Sequence, residues 1–540
     1  MRPARTAYAV RRVLPRVALL ASLVAPASVA AQQHGPAVEP AAPEGAATTT
    51  QRRSTVRRTK PVARKVARRR PAPPPLVPTT PLGVVALGQD LSTLLDSRVK
   101  QGNWGVLVTS ATRGDTLFAR NPDAPLMPAS TQKLFTTVLA FERLGVHHQL
   151  LTEVLRDGPL EADGTLRGSL VLRGGGDPAL SGRFLGGAPE APMRALAQIA
   201  YNAGVRRVEG DVLGDATAFD PQRVPDGWLS RYLDASYAAR VSALSLNENL
   251  LHVAIAATGG RPMVLLRPAL AGYTIVNNTR FNGNGTRAKL VVSRRPDGTI
   301  VASGWMGRRS PVRVYTVVVD DPAQFATAAF ARALEDAGIQ VAGKVRTGPA
   351  PVTSVALGAL SSPPLWQLAK VMNGESDNHF AELLLRDAAR GASPPAGVVG
   401  SARLGNEQLR ALLAERAGTA PAAISISDGS GLSSQNRVTA RALTELLMYA
   451  NRAPWAREFH ESLPIAGFTE TLRRRMQGSP AQGNLHAKTG TTNDVVALGG
   501  YVTARSGELL AFTMFYNGRE RWHARETIDA VGATLAGFAR

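Results

Sequence analysis

The chain has 540 residues, a length that suffices for two or more domains with sizeable cores. It contains no cysteine, which excludes a disulfide framework, a zinc–thiolate site and a cysteine nucleophile. The formal net charge is +22 but uneven: residues 1–82 carry 15 lysines and arginines against two acidic residues, a net charge of +13.

Residues 1–31 have the pattern of a secretion signal. Five arginines precede a short apolar run, VALLASLVA at 17–25, and small residues follow, so we expect cleavage after Ala30 or Ala31. The alternative is a membrane anchor, but the run is too short to span a bilayer and Pro26 interrupts it. We therefore predict an exported protein of the periplasm or cell envelope.

Residues 32–82 are predicted to form a disordered linker. The stretch QRRSTVRRTKPVARKVARRRPAPPPLVP at 51–78 is rich in Arg, Lys, Ala and Pro and has almost no large apolar residues, so it cannot bury a core. Its charge would also suit contact with anionic envelope polymers or lipid head groups. We do not expect a nucleic-acid partner, because the chain is predicted to be exported and no aromatic residues are interleaved with the charges.

Globular patterns follow the linker. Apolar residues at helical spacing predict a helix over 87–99, and two short β patterns predict strands at 104–111 and 116–120. Prolines then break the chain before a helix that we expect over 130–144, ended by Gly145. This order of elements indicates the start of an α/β domain.

The stretch 148–351 differs from what precedes it because β patterns dominate. Turn signals separate six of them: LLTEVL, GSLVLR, PMVLLR, AKLVVS, TIVAS and VRVYTVVV. One helix, predicted over 322–338, begins with proline and ends at glycine. We predict a β-rich insertion with a core of its own.

Helical patterns return after residue 352. Two apolar stripes, separated by a short break, predict helices around Leu365–Met372 and from Phe380 onward. The chain then ends in three predicted strands and a helix, at 484–491, 495–504, 508–516 and 522–538.

The first indication of a catalytic site is the pair Ser130 and Lys133 in PASTQKLFTTV. At i and i+3 on a helix the two side chains share a face, and a lysine can take the proton of a serine when burial or nearby positive charge lowers its pKa. A helix N-terminus would also favour a developing oxyanion. The alternative is a capping serine with a solvated lysine, which is how we interpret the other S-x-x-K, Ser97 to Lys100.

The pattern S-x-N occurs three times, and the copy at Ser376 to Asn378 stands out. It lies in the break between two helical stretches, where a tight loop can project both side chains into a cleft. The alternative is an ordinary helix N-cap by Ser376.

The third signal is Lys488-Thr489-Gly490, the only K-T-G in the chain, on a predicted strand. A lysine and a hydroxyl on an edge strand can hold a substrate carboxylate, and the glycine lets a substrate backbone approach closely. The alternative is a strand end with a turn glycine.

The order S-x-x-K, S-x-N, K-T-G is that of serine β-lactamases and penicillin-binding proteins. With it, the chain resembles the class-C low-molecular-mass penicillin-binding proteins, the D-alanyl-D-alanine carboxypeptidase/endopeptidase family. From Lys133 to Ser376 is 243 positions, far more than in compact β-lactamases, and a large insertion there is a mark of this family. The resemblance covers roughly 83–540 and includes three further strings: GGGDPAL, VSALSLNEN and DGSGLSSQNRVT.

The resemblance implies an α/β (α+β) fold. Residues 83–147 and 352–540 would form a transpeptidase-type domain, in which helices flank an antiparallel sheet and a helical subdomain is added. Residues 148–351 would be inserted into it.

The resemblance also implies a reaction. Ser130 would attack the carbonyl of the penultimate D-alanine of a peptidoglycan stem peptide, with Lys133 as general base. Ser376 would pass a proton to the leaving amine under the influence of Lys488, and Asn378 would hydrogen-bond the substrate backbone. Water would then release the acyl group.

Substrate binding is expected along the K-T-G strand. Lys488 and Thr489 would hold the terminal carboxylate or its equivalent in a cross-link, beside Gly490. The backbone amides of Ser130 and Thr491 would form the oxyanion hole. β-Lactams should acylate the same serine.

Two other functions remain open: a β-lactamase or esterase using the same site, and a non-enzymatic scaffold that binds the cell wall. No metal or cofactor is implied, because the histidines have no metal-ligand spacing. His379 and His486 flank two motifs but are expected to be ordinary surface residues. The DGSGLS loop is expected to line the cleft, with Asp428 and Ser430 as residues that support the catalytic groups without touching the substrate.

Overall fold

The computed structural model describes residues 76–270, 272–395 and 397–540. The predicted signal and most of the predicted linker, residues 1–75, lie outside them. The predicted end of the linker is too late, because the Thr79 amide donates to Thr534 Oγ1 and the Pro81 carbonyl accepts from the Ala539 amide. Within the described part of the chain, no helix combines the length and apolarity needed to cross a bilayer.

The helices and strands of the described residues, in chain order, have the following bounds. The α-helices are α1 Val84–Arg98, α2 Gln132–Leu144, α3 Ala191–Asn202, α4 Pro322–Asp336, α5 Leu365–Glu375, α6 Asn378–Arg390, α7 Ala402–Ala417, α8 Ala440–Ala450, α9 Ala456–Glu461 and α10 Arg521–Gly537. The strands are β1 Asn103–Ser110, β2 Thr116–Arg120, β3 Leu151–Asp157, β4 Thr165–Leu166, β5 Ser169–Gly174, β6 Arg207–Val208, β7 Val212–Asp215, β8 Leu250–Ala256, β9 Met263–Arg267, β10 Ile275–Phe281, β11 Ala288–Arg294, β12 Ile300–Met306, β13 Arg313–Val318, β14 Gln340–Val341, β15 Val345–Thr347, β16 Val355–Ser361, β17 Ile424–Ser425, β18 Arg437–Val438, β19 His486–Thr491, β20 Val495–Thr503 and β21 Leu509–Asn517.

The central element is a five-stranded antiparallel sheet in the order β19-β20-β21-β1-β2. Its inner strands are buried on both faces because helices cover both sides. Along β1, Leu107 belongs to the core shared with α2 and α5 to α8, whereas Val106 and Val108 belong to the core shared with α1 and α10. The predicted transpeptidase-type α/β architecture is thus confirmed, and β19, which carries K-T-G, is an edge strand.

Helix α2 is buried along nearly its whole length between the sheet and the other helices. A short 3₁₀ turn, Ala129–Thr131, precedes it, so Ser130 lies in that turn and not in the α-helix proper. At the other end Gly145, with φ of 85°, donates its amide to the Phe141 carbonyl and ends the helix, as predicted.

The insertion contains all six predicted strands and has a separate apolar core, whose buried residues lie between Val154 and Ile339. A mixed sheet in the order β15-β7-β5-β3-β16 packs against α3 and α4, and two three-stranded sheets, β13-β8-β9 and β10-β12-β11, adjoin it. Helix α3 was not predicted. Strand β16 lies beyond the predicted border at 351 and pairs with β3, so the inserted sheet is completed by residues up to 361.

Candidate active site

The three motifs meet at one place in the fold. Lys133 Nζ donates hydrogen bonds to Ser130 Oγ at 3.2 Å and to Asn378 Oδ1 at 2.6 Å. Lys488 Nζ donates to Ser376 Oγ at 2.9 Å. Side chains from α2, from the α5–α6 loop and from the edge strand β19 therefore form one polar cluster.

Ser130 is presented by a strained turn. Ala129 has φ of 46°, in the left-handed region that a residue with a side chain rarely adopts. The Thr131 hydroxyl donates to the Pro128 carbonyl at 2.7 Å and closes the turn. Ser130 is half-buried whereas its neighbours are buried, so its hydroxyl is the group that this turn exposes to the cleft.

Gly490 explains how the edge strand reaches this turn. A Cβ atom built on Gly490 would lie 2.8 Å from the Pro128 carbonyl oxygen and 3.2 Å from Ala129 Cβ. Only a residue without a side chain fits so close to the backbone that carries Ser130. On the same strand Thr489 is half-buried and Thr491 is exposed.

Lys133 is fully buried, and this burial lowers its pKa to about 8, although the carboxylates of Asp428, Asp377 and Glu382 oppose the shift. Its third hydrogen bond goes to the Ser430 carbonyl at 2.7 Å. The ammonium thus uses all three of its protons. After loss of one proton, the amine would hold a lone pair within reach of the Ser130 hydroxyl.

Lys488 is also fully buried. Burial, together with the positive charge of Lys133, holds its pKa well below the usual range. Its ammonium donates to the Thr489 carbonyl at 2.8 Å as well as to Ser376 Oγ. Because Lys488 donates to Ser376, the hydroxyl proton of that serine is free to point elsewhere.

At the junction of α5 and α6, one residue caps the helix and its two neighbours, Ser376 and Asn378, face the polar cluster. Ser376 ends α5 in the left-handed conformation, with φ of 63°. The N-cap of α6 is Asp377, whose carboxylate accepts from the Phe380 amide at 3.1 Å, so the alternative of a capping Ser376 is wrong. Asn378 donates through Nδ2 to the Tyr237 carbonyl of the insertion at 2.8 Å.

Asp428 organises the DGSGLS loop. Its buried carboxylate accepts hydrogen bonds from five donors: Trp228 Nε1, Ser430 Oγ, the Gly431 amide, the Ser433 amide and Asn436 Nδ2. This fold of the loop aims the Ser430 carbonyl at Lys133.

Glu382 was missed by the sequence analysis. It lies on α6 one turn after Asn378, fully buried, and its Oε1 accepts from the backbone amides of Gly429 at 3.0 Å and Ser430 at 2.9 Å. Arg386 Nη1 donates to its other oxygen at 3.0 Å. The available signal was a Glu and an Arg four residues apart inside an apolar helix.

The expectation of a surface histidine at position 379 is wrong. His379 is buried on α6, and the loss of hydration lowers its pKa to about 3, so it is neutral. His486 is half-buried on β19, and its pKa is also lowered by burial. The packing of α6 and of β19 against the rest of the fold, which motif position does not reveal, determines these environments.

Comparison with known proteins gives a family match along most of the chain. The sequence model of the family described as "D-Ala-D-Ala carboxypeptidase 3 (S13)" matches residues 88–537. The D-alanyl-D-alanine carboxypeptidase of Actinomadura sp. (strain R39) is 33% identical over 499 residues, which cover 86% of this chain and 89% of that protein. The D-alanyl-D-alanine carboxypeptidase DacB of Haemophilus influenzae is 26% identical over 436 residues, covering 79% and 88%.

Solved structures show a similar fold. The crystal structure of penicillin binding protein 4 (dacB) from Haemophilus influenzae superposes with a TM-score of 0.68 at 25% identity, covering 81% of this chain and 98% of that one. The same protein complexed with a novel β-lactam gives a TM-score of 0.63, also at 25% identity, over 79% and 93%.

Proposed function

Because the chain belongs to the D-Ala-D-Ala carboxypeptidase 3 (S13) family, we propose that it is a serine-type D-Ala-D-Ala carboxypeptidase and endopeptidase that acts on peptidoglycan stem peptides and cross-links. The observation that carries the site assignment is the position of Lys133 Nζ, which lies within hydrogen-bond distance of both Ser130 Oγ and Asn378 Oδ1. β-Lactams are the expected inhibitors, because they would acylate the same serine.

Acylation begins at Ser130. Its oxygen attacks the carbonyl carbon of the penultimate D-alanine while its proton passes to the neutral amine of Lys133, which a pKa of about 8 makes available near neutral pH. The backbone amides of Ser130 and Thr491 hold the negative charge that develops on the carbonyl oxygen.

Ser376 and Lys488, the second half of the cluster, protonate the leaving amine. The C–N bond breaks, and the amine receives the hydroxyl proton of Ser376, which is replaced by a proton from Lys488. The hydrogen bond from Lys488 to Ser376 supports this direction of transfer. Lys488 and Thr489 bind the terminal carboxylate, and Asn378 orients the substrate backbone.

Water completes the cycle. It attacks the ester carbonyl on Ser130 and gives up a proton that restores Lys488 by way of Ser376. The bond from the carbonyl carbon to Ser130 Oγ breaks, Lys133 returns its proton to that oxygen, and the shortened peptide leaves. In a cross-link, the same bond type joins D-alanine to the side-chain amine of a second stem peptide, so the same steps separate the two strands.

The domain organisation and location are proposed on the same basis. We infer that the segments on either side of the insertion, from about residue 79 to 147 and from 362 to 540, form the peptidase domain. We also infer that the predicted signal at 1–31 directs the chain to the periplasm or cell envelope. Peptidoglycan, the substrate class, is found there.

Mass spectrometry of muropeptides after digestion of purified peptidoglycan tests the function. Carboxypeptidase action removes one alanine from pentapeptides, and endopeptidase action converts cross-linked dimers to monomers. Fast turnover of penicillin without either change would favour the alternative of a β-lactamase. The Ser130→Ala variant is the negative control.

A further inference from the structure

The positive charge of the folded chain is concentrated in one segment. Residues 261–313 carry ten lysines and arginines against a single acidic residue, Asp297. Over the whole of 83–540 there are 48 basic and 39 acidic residues, so outside this segment the two signs balance. The net charge of this part of the chain therefore belongs to about one tenth of its length.

This segment includes the sheet β10-β12-β11, whose two faces differ. On β12, Ile300 is buried in the inserted core, and Ala302 and Met306 are buried in a smaller cluster with Ile255 of β8. Side chains alternate along a strand, so Trp305 points to the opposite face. Register places Arg280 of β10 and Lys289 of β11 on either side of Trp305, in one cross-strand row.

We call this surface the basic sheet face and define it by that row and its neighbour, which are Arg280, Trp305 and Lys289, and Asn278, Ser303 and Val291. Arg280 and Lys289 are exposed, and Trp305 is half-exposed between them. Neighbouring strands lie about 4.8 Å apart, so the side chains of Arg280 and Lys289 leave the sheet on either side of Trp305.

Few of the charges are neutralised internally. Within the described residues, only Arg267 and Arg294 of the ten pair with carboxylates, those of Glu190 and Asp320. The exposed remainder around the basic sheet face is Arg261, Arg287, Arg295, Arg308 and Arg309. Uncompensated like charges at this density create a strong positive potential that attracts anionic ligands.

We propose that the basic sheet face binds the peptidoglycan polymer itself, with Trp305 stacked on a sugar ring and Arg280 and Lys289 paired with carboxylates of the stem peptides. This inference rests on the proposed function, which supplies an acidic polymer as substrate. The aromatic ring offers a flat apolar surface for the C–H face of a sugar. The flanking cations offer charge-assisted hydrogen bonds to carboxylates.

A solvated face and a lipid surface are the competing interpretations. A merely solvated face needs no half-exposed tryptophan between two unneutralised cations. A lipid-binding surface needs several apolar side chains that protrude into the bilayer interface. In the basic sheet face only Val291 is an exposed aliphatic residue, and Trp305 lies on the inner strand of the sheet with polar or charged neighbours. The arrangement fits a glycan with acidic branches better than either alternative.

The consequence is a second attachment to an insoluble substrate. A polymer held at one place raises the effective concentration of its other bonds at the catalytic cleft. Loss of the basic sheet face should therefore slow the digestion of intact sacculi and leave the hydrolysis of small soluble peptides unchanged.

Cosedimentation tests the proposal. The full chain with Ser130→Ala is mixed with purified sacculi freed of other polymers, and the bound fraction is compared with that of the same chain carrying Arg280→Glu and Lys289→Glu. We expect at least a fivefold loss of binding, because each attraction becomes a repulsion. A control with Arg403→Glu and Arg505→Glu, exposed arginines elsewhere, has the same net charge and should bind like the parent.

Three further experiments test the stacking of Trp305 and the role of charge. Trp305→Ala should also weaken binding, with circular dichroism as the check of folding. Sacculi whose carboxylates are amidated should bind less of the parent chain, and added salt should reduce binding. The proposal would be overturned if the Arg280→Glu, Lys289→Glu chain bound sacculi as well as the parent does. It would also be overturned if this double variant lost affinity for anionic lipid vesicles but not for sacculi.

The proposed peptidase function and the proposed binding by the basic sheet face can be tested independently. If wild-type protein hydrolyses no D-Ala-D-Ala peptide, the proposed function is wrong, whereas the sedimentation result reports on the basic sheet face alone. The kcat/KM on a soluble pentapeptide, measured with Ser130 intact, should be the same for the charge-reversed chain and its control.

Discussion

The buried carboxylate of Glu382 accepts a 2.9 Å hydrogen bond from the backbone amide of Ser430, whose carbonyl in turn accepts a 2.7 Å hydrogen bond from Lys133. A side chain with no motif of its own therefore fixes the position of the proposed general base. Its negative charge also favours the protonated form of Lys133.

Glu382→Gln should move the pH profile. Removing a nearby negative charge lowers the pKa of Lys133 further, and only the neutral amine accepts a proton, so the acidic limb of kcat/KM should shift to lower pH. The maximum should fall, because a neutral acceptor holds the two loop amides less firmly. Profiles are measured on a soluble pentapeptide. Glu407→Gln, an exposed control on α7, should leave the profile unchanged. A shift of the Glu382→Gln profile to higher pH would contradict the assignment.

Ser130→Ala should abolish labelling by fluorescent penicillin and lower kcat/KM by at least about 10³-fold, since no nucleophile remains. Ser97→Ala removes the serine of the other S-x-x-K, whose hydroxyl only donates to the Leu94 carbonyl. This control should be labelled like the wild type. Persistent labelling of Ser130→Ala would remove Ser130 as nucleophile.

Lys133→Arg should be inactive at every pH. A guanidinium keeps its charge and cannot take the serine proton, so acylation by penicillin should fall by about 10²–10⁴-fold. The wild-type rate should rise as pH increases through about 8, where Lys133 loses its proton. Lys100→Arg serves as the control. Recovery of the Lys133→Arg rate at alkaline pH would contradict the role of general base.

Gly490→Ala should damage both folding and acylation. The added Cβ would lie 2.8 Å from the Pro128 carbonyl, so β19 must move away from the turn that carries Ser130. Such overpacking costs about 1–3 kcal/mol of unfolding free energy. Gly88→Ala, on α1, meets open space and should not destabilise the chain. Denaturant unfolding and the rate of penicillin acylation provide the two readouts. An unchanged acylation rate in Gly490→Ala would contradict the close contact between β19 and the turn that carries Ser130.

Much of the fold and of the cluster could be predicted because the relevant signals are local. Strand and helix periodicity located the central sheet and the six inserted strands. The order of the three motifs distinguished Ser130 and Ser376 from similar copies and joined them to the single K-T-G at Lys488. Helix α3 was overlooked because β patterns surround it on both sides. The strain at Ala129 is a property of packing and not of residue type.

The remaining features depend on tertiary contacts. Glu382 acts on a loop almost fifty residues away, and the burial of His379 follows from the rotation of α6 against its neighbours. Ser376 ends α5 and Asp377 caps α6, a choice between two residues that both favour N-caps and that residue preferences alone do not determine.

The hydrogen bonds from Asn378 to the Tyr237 carbonyl and from Trp228 to Asp428 mean that the insertion supplies part of the wall of the proposed active site. A shortened enzyme, trimmed to the two flanking segments, would lose the groups that orient Asn378 and hold the loop behind Lys133. Removing the insertion would therefore lower activity as well as size. A smaller scaffold that carries the same cluster must replace both hydrogen bonds.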